Sequence, residues 1–451
     1  MKMAKTLSYR IIITLASGAI LPLVDTTIVS MAIDPLVTYF NVSASIVAWI
    51  AISYLLAAVS VIPFTTWLIS AYGSKKIWIS GLIIFLTGSL LSGFSWNIYS
   101  LIFFRIIEGM GAGILMPMLL TLIYQIDSSD ARKMFTVIGS ITAWAPIVGP
   151  FLGSAMLSMG TWRLIFWINV PIVIISIIMA SIFINVNDEI KTESALDLKG
   201  GILLIIGFSG IIYAVTIMDN LSIYFIISLT SGVISLILYV LHAVRSGNPL
   251  LDILLYKVRP FQVNSVLLIL TGFAFYGGIT FLPLWLETVR DVTASLAGLY
   301  LIIMGLGALL ARTLLKYIKS NNKIVIEMGW LITVIGTIPF IYKFDSTGII
   351  LLTSLFVRGF GMGILSITVL INSFTGLSGN QIKHASAFTR VLLILGGAIG
   401  TGILSLTVAG IKPGISHLFA VNAVYYCFML IEVVSIIGLA TSLLLKNKYT
   451  D

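Results

Sequence analysis

Asp25 lies in the apolar run Ile11–Ile33, and Arg105 and Glu108 lie in Leu101–Ile123. A charge placed mid-way through hydrocarbon costs about 3 kcal/mol on insertion scales. It persists only where it faces protein or water, and there it can bind a proton, a cation or a partner charge. Asp25 follows Pro22 by three residues and precedes Thr26 and Thr27. It is either a buried acid satisfied by hydroxyls or an arginine, or a titrating site. Arg105 and Glu108 share one helix face. Glu108 is then either a fixed partner of Arg105 or a second acid that takes protons or cations. Glu432, also in an apolar run, has two readings: pairing with Arg358 in a structural role, or coupling.

These residues need long membrane-crossing elements to hold them. The chain has 451 residues, 59% of them apolar and 10% charged. Soluble domains carry about 25% charged residues, so this is a membrane protein. Runs of about 20 apolar residues recur at roughly 11–33, 46–70, 77–94, 99–123, 133–158, 163–185, 199–218, 222–243, 262–286, 294–312, 324–343, 347–373, 388–410 and 418–445. The predicted architecture is all-α and polytopic, with 14 spans and short connections. The basic start (Lys2, Lys5, Arg10) runs straight into the first span with no small-residue cleavage site, so no cleavable signal peptide is expected. The single cysteine, Cys427, excludes an internal disulfide, and His242, His384 and His417 are not at metal-ligand spacing.

The positive-inside rule orients these spans. With both termini in the cytoplasm, twenty of the 26 Lys and Arg residues fall inside, and only Arg163, Arg290, Lys343 and Lys412 fall outside. Arg105 and Arg358 are embedded. The net charge of +9 is therefore mainly a topology signal, and its dispersal over many loops argues against a nucleic-acid partner. Asp25 and Glu108 both come to lie roughly 12–14 Å below the outer surface, at 1.5 Å per residue, where one cavity can hold both. The inside segment Arg245–Phe261 spaces Leu250, Leu251, Leu254, Leu255 and Val258 as a short interfacial helix would, a plain loop being the other reading. Gly109-Met-Gly-Ala-Gly-Ile-Leu115 repeats as Gly359-Phe-Gly-Met-Gly-Ile-Leu365, each downstream of an arginine at a different offset. Two-fold repeats mark transporters.

Four segments carry a family resemblance: Leu23-Val-Asp-Thr-Thr-Ile-Val-Ser30, Arg105-Ile-Ile-Glu-Gly-Met-Gly-Ala-Gly113, Ala145-Pro-Ile-Val-Gly-Pro-Phe-Leu-Gly153 and Trp162-Arg-Leu-Ile-Phe-Trp-Ile-Asn-Val-Pro171. In order and type they resemble the fourteen-span drug:proton antiporters of the major facilitator superfamily, the group of QacA-like and EmrB-like pumps. The resemblance implies the major facilitator fold: two pseudo-symmetric six-helix bundles, 1–198 and 246–451, with two inserted transmembrane helices at 199–245. It implies proton-coupled efflux of lipophilic, predominantly cationic drugs by alternating access. Asp25 and Glu108 would serve proton coupling and substrate, with Arg105 as supporting charge. Gly149, Pro150 and Gly153 would form a close-packed, bending element. Tyr54, Met116, Trp144, Phe275 and Tyr276 are candidates for an apolar pocket lining.

The implied setting is the plasma membrane, with both termini cytoplasmic. Protons are the coupling ion, and no cofactor, metal or obligatory protein partner is expected. Export of a native lipid or metabolite on the same fold is the alternative. A membrane enzyme is not expected, because no clustered nucleophile or His-x-x-Glu-His run exists. Two departures from the family stand out. Ser70 and Ala71 replace the acid and arginine of the loop after the second span, although Gly73 and Lys75 remain. Glu108 stands where the family usually carries glutamine.

The charge pattern makes a topological prediction. Single cysteines placed at Lys75, Lys199 and Lys319 should react with an impermeant label only from the cytoplasmic side, and those at Lys343 and Lys412 only from outside. Labelling of the Lys199 and Lys343 positions from one side would break the span order.

Overall fold

A computed structural model describes residues 2–42, 44–126, 131–142, 144–186, 196–217, 222–290, 294–315, 317–318, 321–341, 348–377, 380–408 and 417–445. Lys191, Lys316, Lys319, Lys343, Lys412, Lys446 and Lys448, counted above as loop residues, lie outside them. The chain forms α1 (Lys2–Ser30), α2 (Ile33–Phe40), α3 (Ala44–Val61), α4 (Thr65–Tyr72), α5 (Ser74–Gly93) and α6 (Ile98–Ile126). It continues through α7 (Ala131–Thr142), α8 (Ala145–Ser158), α9 (Leu164–Trp167), α10 (Asn169–Phe183), α11 (Leu198–Thr216) and α12 (Ile223–Arg245). The last six are α13 (Arg259–Arg290), α14 (Ala294–Leu315), α15 (Asn322–Ile341), α16 (Gly348–Asn372), α17 (Asn380–Val408) and α18 (His417–Ser442). Among the described residues there is no strand. Hydrocarbon offers backbone groups no water, so a helix that bonds its own backbone is the favoured form for such apolar runs.

Twelve of these segments, among the described residues, are long and apolar enough to cross a membrane. The other two predicted spans are also helical. The run 133–158 is divided between α7 and α8, which restarts at Ala145 with a proline in its first turn. A proline lacks the N–H that would continue the ladder and is tolerated at a helix start. The run 294–312 lies in α14. The second span bends for the same reason: α3 passes through a 3-10 turn at Ile62–Phe64, which contains Pro63, into α4. Helix α17 starts at Asn380, ahead of the predicted 388, with Lys383 and His384 inside it.

The chain divides into two compact units. The first comprises Met1–Gly210, Ser231–Ile253 and Gly379–Arg390, and the second Ile211–Thr230, Leu254–Ser378 and Val391–Asp451. Each unit contains the same close-packed three-helix arrangement. In the first, Gly88 of α5 lies against the backbone of Glu108 on α6, and Gly109 of α6 lies against the Tyr54 carbonyl on α3. In the second, Gly336 of α15 lies against the backbone of Arg358 on α16, and Gly359 lies against the Met304 carbonyl on α14. A Cβ at any of these four glycines would overlap a neighbouring backbone. The faint sequence repeat is therefore a repeat of helix contacts. It also resolves the arginine offset, since Arg358 occupies the register of Glu108, not that of Arg105.

The segment after α12 does not lie flat as an interfacial helix. Only Ile253–Lys257 is helical, as a 3-10 turn. Leu250, Leu251 and Leu255 are buried, and Leu254 is exposed. The first unit grips this strap by its backbone. Thr66 donates to the Leu250 carbonyl at 2.7 Å. Tyr239 Oη donates to the Leu251 carbonyl at 2.8 Å and accepts from the Leu251 amide at 2.8 Å. His384 Nδ1 lies within hydrogen-bonding distance of the Leu250 carbonyl (3.0 Å) and the Asp252 amide (3.3 Å). Backbone groups buried this way must be paired, and here side chains from three helices do it.

Tyr239→Phe would strand both backbone groups of Leu251 in a buried place. It should destabilise the protein by about 1–3 kcal/mol, read as a lowered melting temperature in detergent. Tyr224→Phe, at an exposed position on α12, serves as a tyrosine control.

Candidate functional site

Helices α1, α3, α5, α6, α9 and α10 of the first unit converge on one guanidinium. Arg105 Nη1 donates to Asp25 Oδ2 at 2.7 Å and to Glu108 Oε2 at 2.8 Å. Its Nε donates to the Ile50 carbonyl at 3.4 Å. The group lies over the Tyr54 ring, 4.2 Å from its centroid, with the Phe166 ring at 5.7 Å. A desolvated guanidinium gains about 2 kcal/mol from such a ring face. Asp25, Arg105 and Glu108 are all 0% exposed.

The second oxygen of Asp25 has its own donor. Asn169 Nδ2 donates to Asp25 Oδ1 at 3.2 Å and to Ser89 Oγ at 3.1 Å. Ser89 in turn donates to the Phe166 carbonyl at 2.9 Å. Asp25 is thus satisfied on both oxygens, whereas Glu108 Oε1 is buried and makes no hydrogen bond of good geometry, with Ser89 the polar side chain beside it. With both acids ionised the cluster carries one net negative charge in a fully buried site. One proton brings it to neutrality. A buried charge needs a partner, so this arrangement can hold either a proton or a cation.

Local sequence explains the placement. Pro22 inside α1 removes one backbone bond a turn ahead of Asp25. Thr26 and Thr27 do not serve the acid, because their hydroxyls donate to the Leu23 and Val24 carbonyls at 2.9 Å. At the end of α1, α8 makes a close approach: Gly149 sits against Thr27, and Gly153 against Met31 just past the helix, where a Cβ would lie 3.1 Å from its Cγ. Pro150 falls within α8 between them. The bending element proposed from sequence therefore touches the helix that carries Asp25. Tyr54 is buried beneath Arg105, Met116 is half-buried and Trp144 is exposed. In the second unit Phe275 and Tyr276 are half-buried and meet edge to face at 5.3 Å.

Asn169 and Ser89 were not singled out by the sequence reading. A lone Asn or Ser in an apolar run is compatible with plain helix packing, and the only signal was the position of Asn169 in the Trp162–Pro171 motif. The loop after α4 also has a structural answer. Gly73 turns the chain with φ +87°, a conformation that favours glycine. Lys75 donates to the Ser181 carbonyl at 2.7 Å, in the last turn of α10. A cation is favourable at a helix C-terminus, so Lys75 ties the loop down without the acid and arginine of the usual motif.

Comparison with known proteins agrees with this fold. Residues 15–401 match the sequence profile of the Major Facilitator Superfamily. The chain is 30% identical over 405 residues to the uncharacterized MFS-type transporter YhcA of Bacillus subtilis (strain 168), covering 88% of this chain and 75% of that protein. It is 28% identical to the probable multidrug resistance protein EmrY of Escherichia coli (strain K12), covering 90% of this chain and 81% of that one. The crystal structure of the human organic anion transporter MFSD10 superposes with a TM-score of 0.67 at 13% identity, covering 96% of this chain and 99% of that one.

The unequal satisfaction of the two acids makes a prediction about stability. Arg105→Ala leaves two carboxylates buried and should cost about 3–5 kcal/mol. Glu108→Gln keeps an acceptor for Arg105 and leaves its bond to Asp25 intact, so it should stay within about 1 kcal/mol of the parent. Adding Glu108→Gln to Arg105→Ala should recover part of the loss. Melting temperatures of the four proteins in detergent check the cycle. An unstable Glu108→Gln would mean that Glu108 is only the ion partner of Arg105.

Proposed function

Because this chain belongs to the Major Facilitator Superfamily, we propose that it is a proton-coupled antiporter that exports lipophilic, predominantly cationic drugs. The observation that carries this reading is the buried Asp25–Arg105–Glu108 cluster, in which two acids share one guanidinium nitrogen. Similarity to multidrug resistance proteins of Mycobacterium tuberculosis and Escherichia coli supports drugs as the substrates.

The cluster has two ways to reach neutrality. A proton on one carboxyl frees Arg105 to hold the other. A cationic substrate placed against the free oxygen of Glu108 satisfies the same charge without the proton. The two occupants therefore compete, and each favours its own arrangement of α1 and α6. The contact of Gly149 with Thr27 transmits a shift of α1 to α8. In this reading the segment 199–245 supplies two helices inserted between bundles 1–198 and 246–451. The protein sits in the plasma membrane with both termini in the cytoplasm, and protons are the coupling ion.

Efflux from proteoliposomes under an imposed pH gradient tests the reading, over a panel of cationic, zwitterionic and neutral compounds. The parent should expel lipophilic cations when the gradient is present and stop when it is collapsed. Asp25→Asn should abolish gradient-driven efflux while the protein still folds and inserts. Glu108→Gln should keep efflux but shift its pH optimum or lose divalent cations. An Asp25→Asn protein that retains most gradient-driven efflux would remove Asp25 from coupling. Gradient-driven transport that ignores all cations would turn the reading to a native lipid or metabolite.

A further inference from the structure

The second unit holds a buried cation that the cluster around Arg105 does not explain. Arg358 on α16 is 1% exposed, and its side-chain bonds go to neutral acceptors. Nη1 donates to Thr337 Oγ1 on α15, and Nη2 donates to the Ala274 carbonyl on α13 at 2.8 Å. Gly278, one turn further along α13, has no side chain, and a Cβ there would overlap the guanidinium. Neither bond supplies a countercharge.

The nearby acid is in the complementary state. Glu432 on α18 is 8% exposed, on the buried side of the helix with Phe428, Ile431 and Ser435. Its Oε2 is buried with no hydrogen-bond partner. Ile431 faces Gly277 of α13, next to the Gly278 that abuts Arg358. Arg358 and Glu432 act on each other electrostatically, yet no ion pair within 4.0 Å joins them among the described residues. On α13 and α15, the helices that pack against α18, the other charged residues are Arg259, Glu287 and Arg290, and Lys323 and Glu327. Lys323 and Glu327 pair at the start of α15, with Lys323 donating to the Leu443 carbonyl beyond the end of α18. Arg259 and Arg290 are the two ends of α13, and Tyr276 of α13 packs against Gly397 of α17. On α18 itself, Cys427 is bonded to Thr407.

We propose that Glu432 is a second proton-binding residue of this transporter, and that Arg358 takes its carboxylate when the proton leaves. An ionised carboxylate and a guanidinium buried side by side without contact would leave both charges uncompensated. Two arrangements avoid this. In the present one, Glu432 carries a proton, and Arg358 rests on Thr337 and Ala274. In the other, the proton has gone, and the carboxylate closes on the guanidinium as a buried pair. Closing draws α18 and α16 together beside α13 at Gly277 and Gly278, so proton binding changes how three helices pack. The repeat gives this pair its place. Arg358 occupies the register of Glu108, so the second unit has a cation where the first has an acid, and its acid comes from another helix.

This proposal rests on the reading of the protein as a proton-coupled exporter, and two measurements separate the two ideas. The first is infrared difference spectroscopy of the protein in nanodiscs across a pH titration, without any gradient. The parent should show the C=O stretch of a protonated carboxyl that is lost in Glu432→Gln and kept in Asp25→Asn. The second is the steady-state drug gradient that proteoliposomes sustain at each imposed pH difference. With one proton fewer per cycle, Glu432→Gln should sustain about a tenfold smaller drug gradient per pH unit. A Glu432→Gln spectrum that keeps every carboxyl band overturns the proposal. So does an unchanged drug gradient at all pH differences, even with the band lost. If Glu432→Gln does not fold, Arg358→Gln combined with Glu432→Gln removes both charges and carries the same measurements. If the parent builds no drug gradient from pH, the exporter reading fails, and the infrared result alone decides whether Glu432 binds a proton.

Discussion

Arg105 Nη1 holds Asp25 and Glu108 at 2.7 and 2.8 Å, in a place where none of the three reaches water. Two ionised acids on one cation cannot both be fully compensated, so with both ionised the site lacks one positive charge. That shortage places demands on the surrounding helices. The guanidinium needs a ring beneath it, which Tyr54 of α3 supplies. Asp25 needs a second donor, which Asn169 of α10 supplies with Ser89 of α5 behind it. Glu108 Oε1 makes no hydrogen bond of good geometry, and that oxygen keeps the cluster responsive to a proton or a cation. A fully satisfied network would be more stable and would have nothing to exchange.

Such a cluster survives only if its helices come close enough to exclude water and lipid. Glycines provide that approach. Gly88 lets α5 touch the backbone of Glu108, and Gly109 lets α6 touch α3 at Tyr54. The residue carrying the unpartnered oxygen is thus fixed through its backbone on one side, while its side chain remains available. The second unit reuses this scaffold with Gly336 against Arg358 and Gly359 against Met304. The scaffold is repeated but its charges are not, as expected when packing sets the backbone and single side chains set the chemistry.

The strap Leu250–Asp252 shows the opposite use of polar groups. Tyr239, Thr66 and His384 spend their hydrogen bonds on backbone carbonyls and amides, and Leu250 and Leu251 are buried as a result. These bonds hold a connection in place. Lys75 on the Ser181 carbonyl is a further example of the same economy.

Much of the architecture was legible in the sequence, because hydrocarbon forces it. Among the described residues every apolar run read as a span is mostly helical, since an apolar stretch in lipid must bond its own backbone. Asp25, Arg105 and Glu108 stood out for the same reason: a charge in such a run is costly and needs a cause. What the linear sequence did not contain was who answers to whom. The i to i+3 spacing linked Arg105 to Glu108, but the bond from Arg105 to Asp25 spans 80 positions and exists only through packing. Asn169 and Ser89 were invisible for lack of charge. The Arg245–Phe261 leucines were spaced for a surface helix, yet Tyr239 and Thr66 draw two of them into the interior. The glycine repeat was visible as letters, but only the helix contacts aligned Arg358 with Glu108. Periodicity and burial cost act locally along a chain and can be read from it. Partners are chosen by helices crossing at a glycine, and that choice is made in three dimensions.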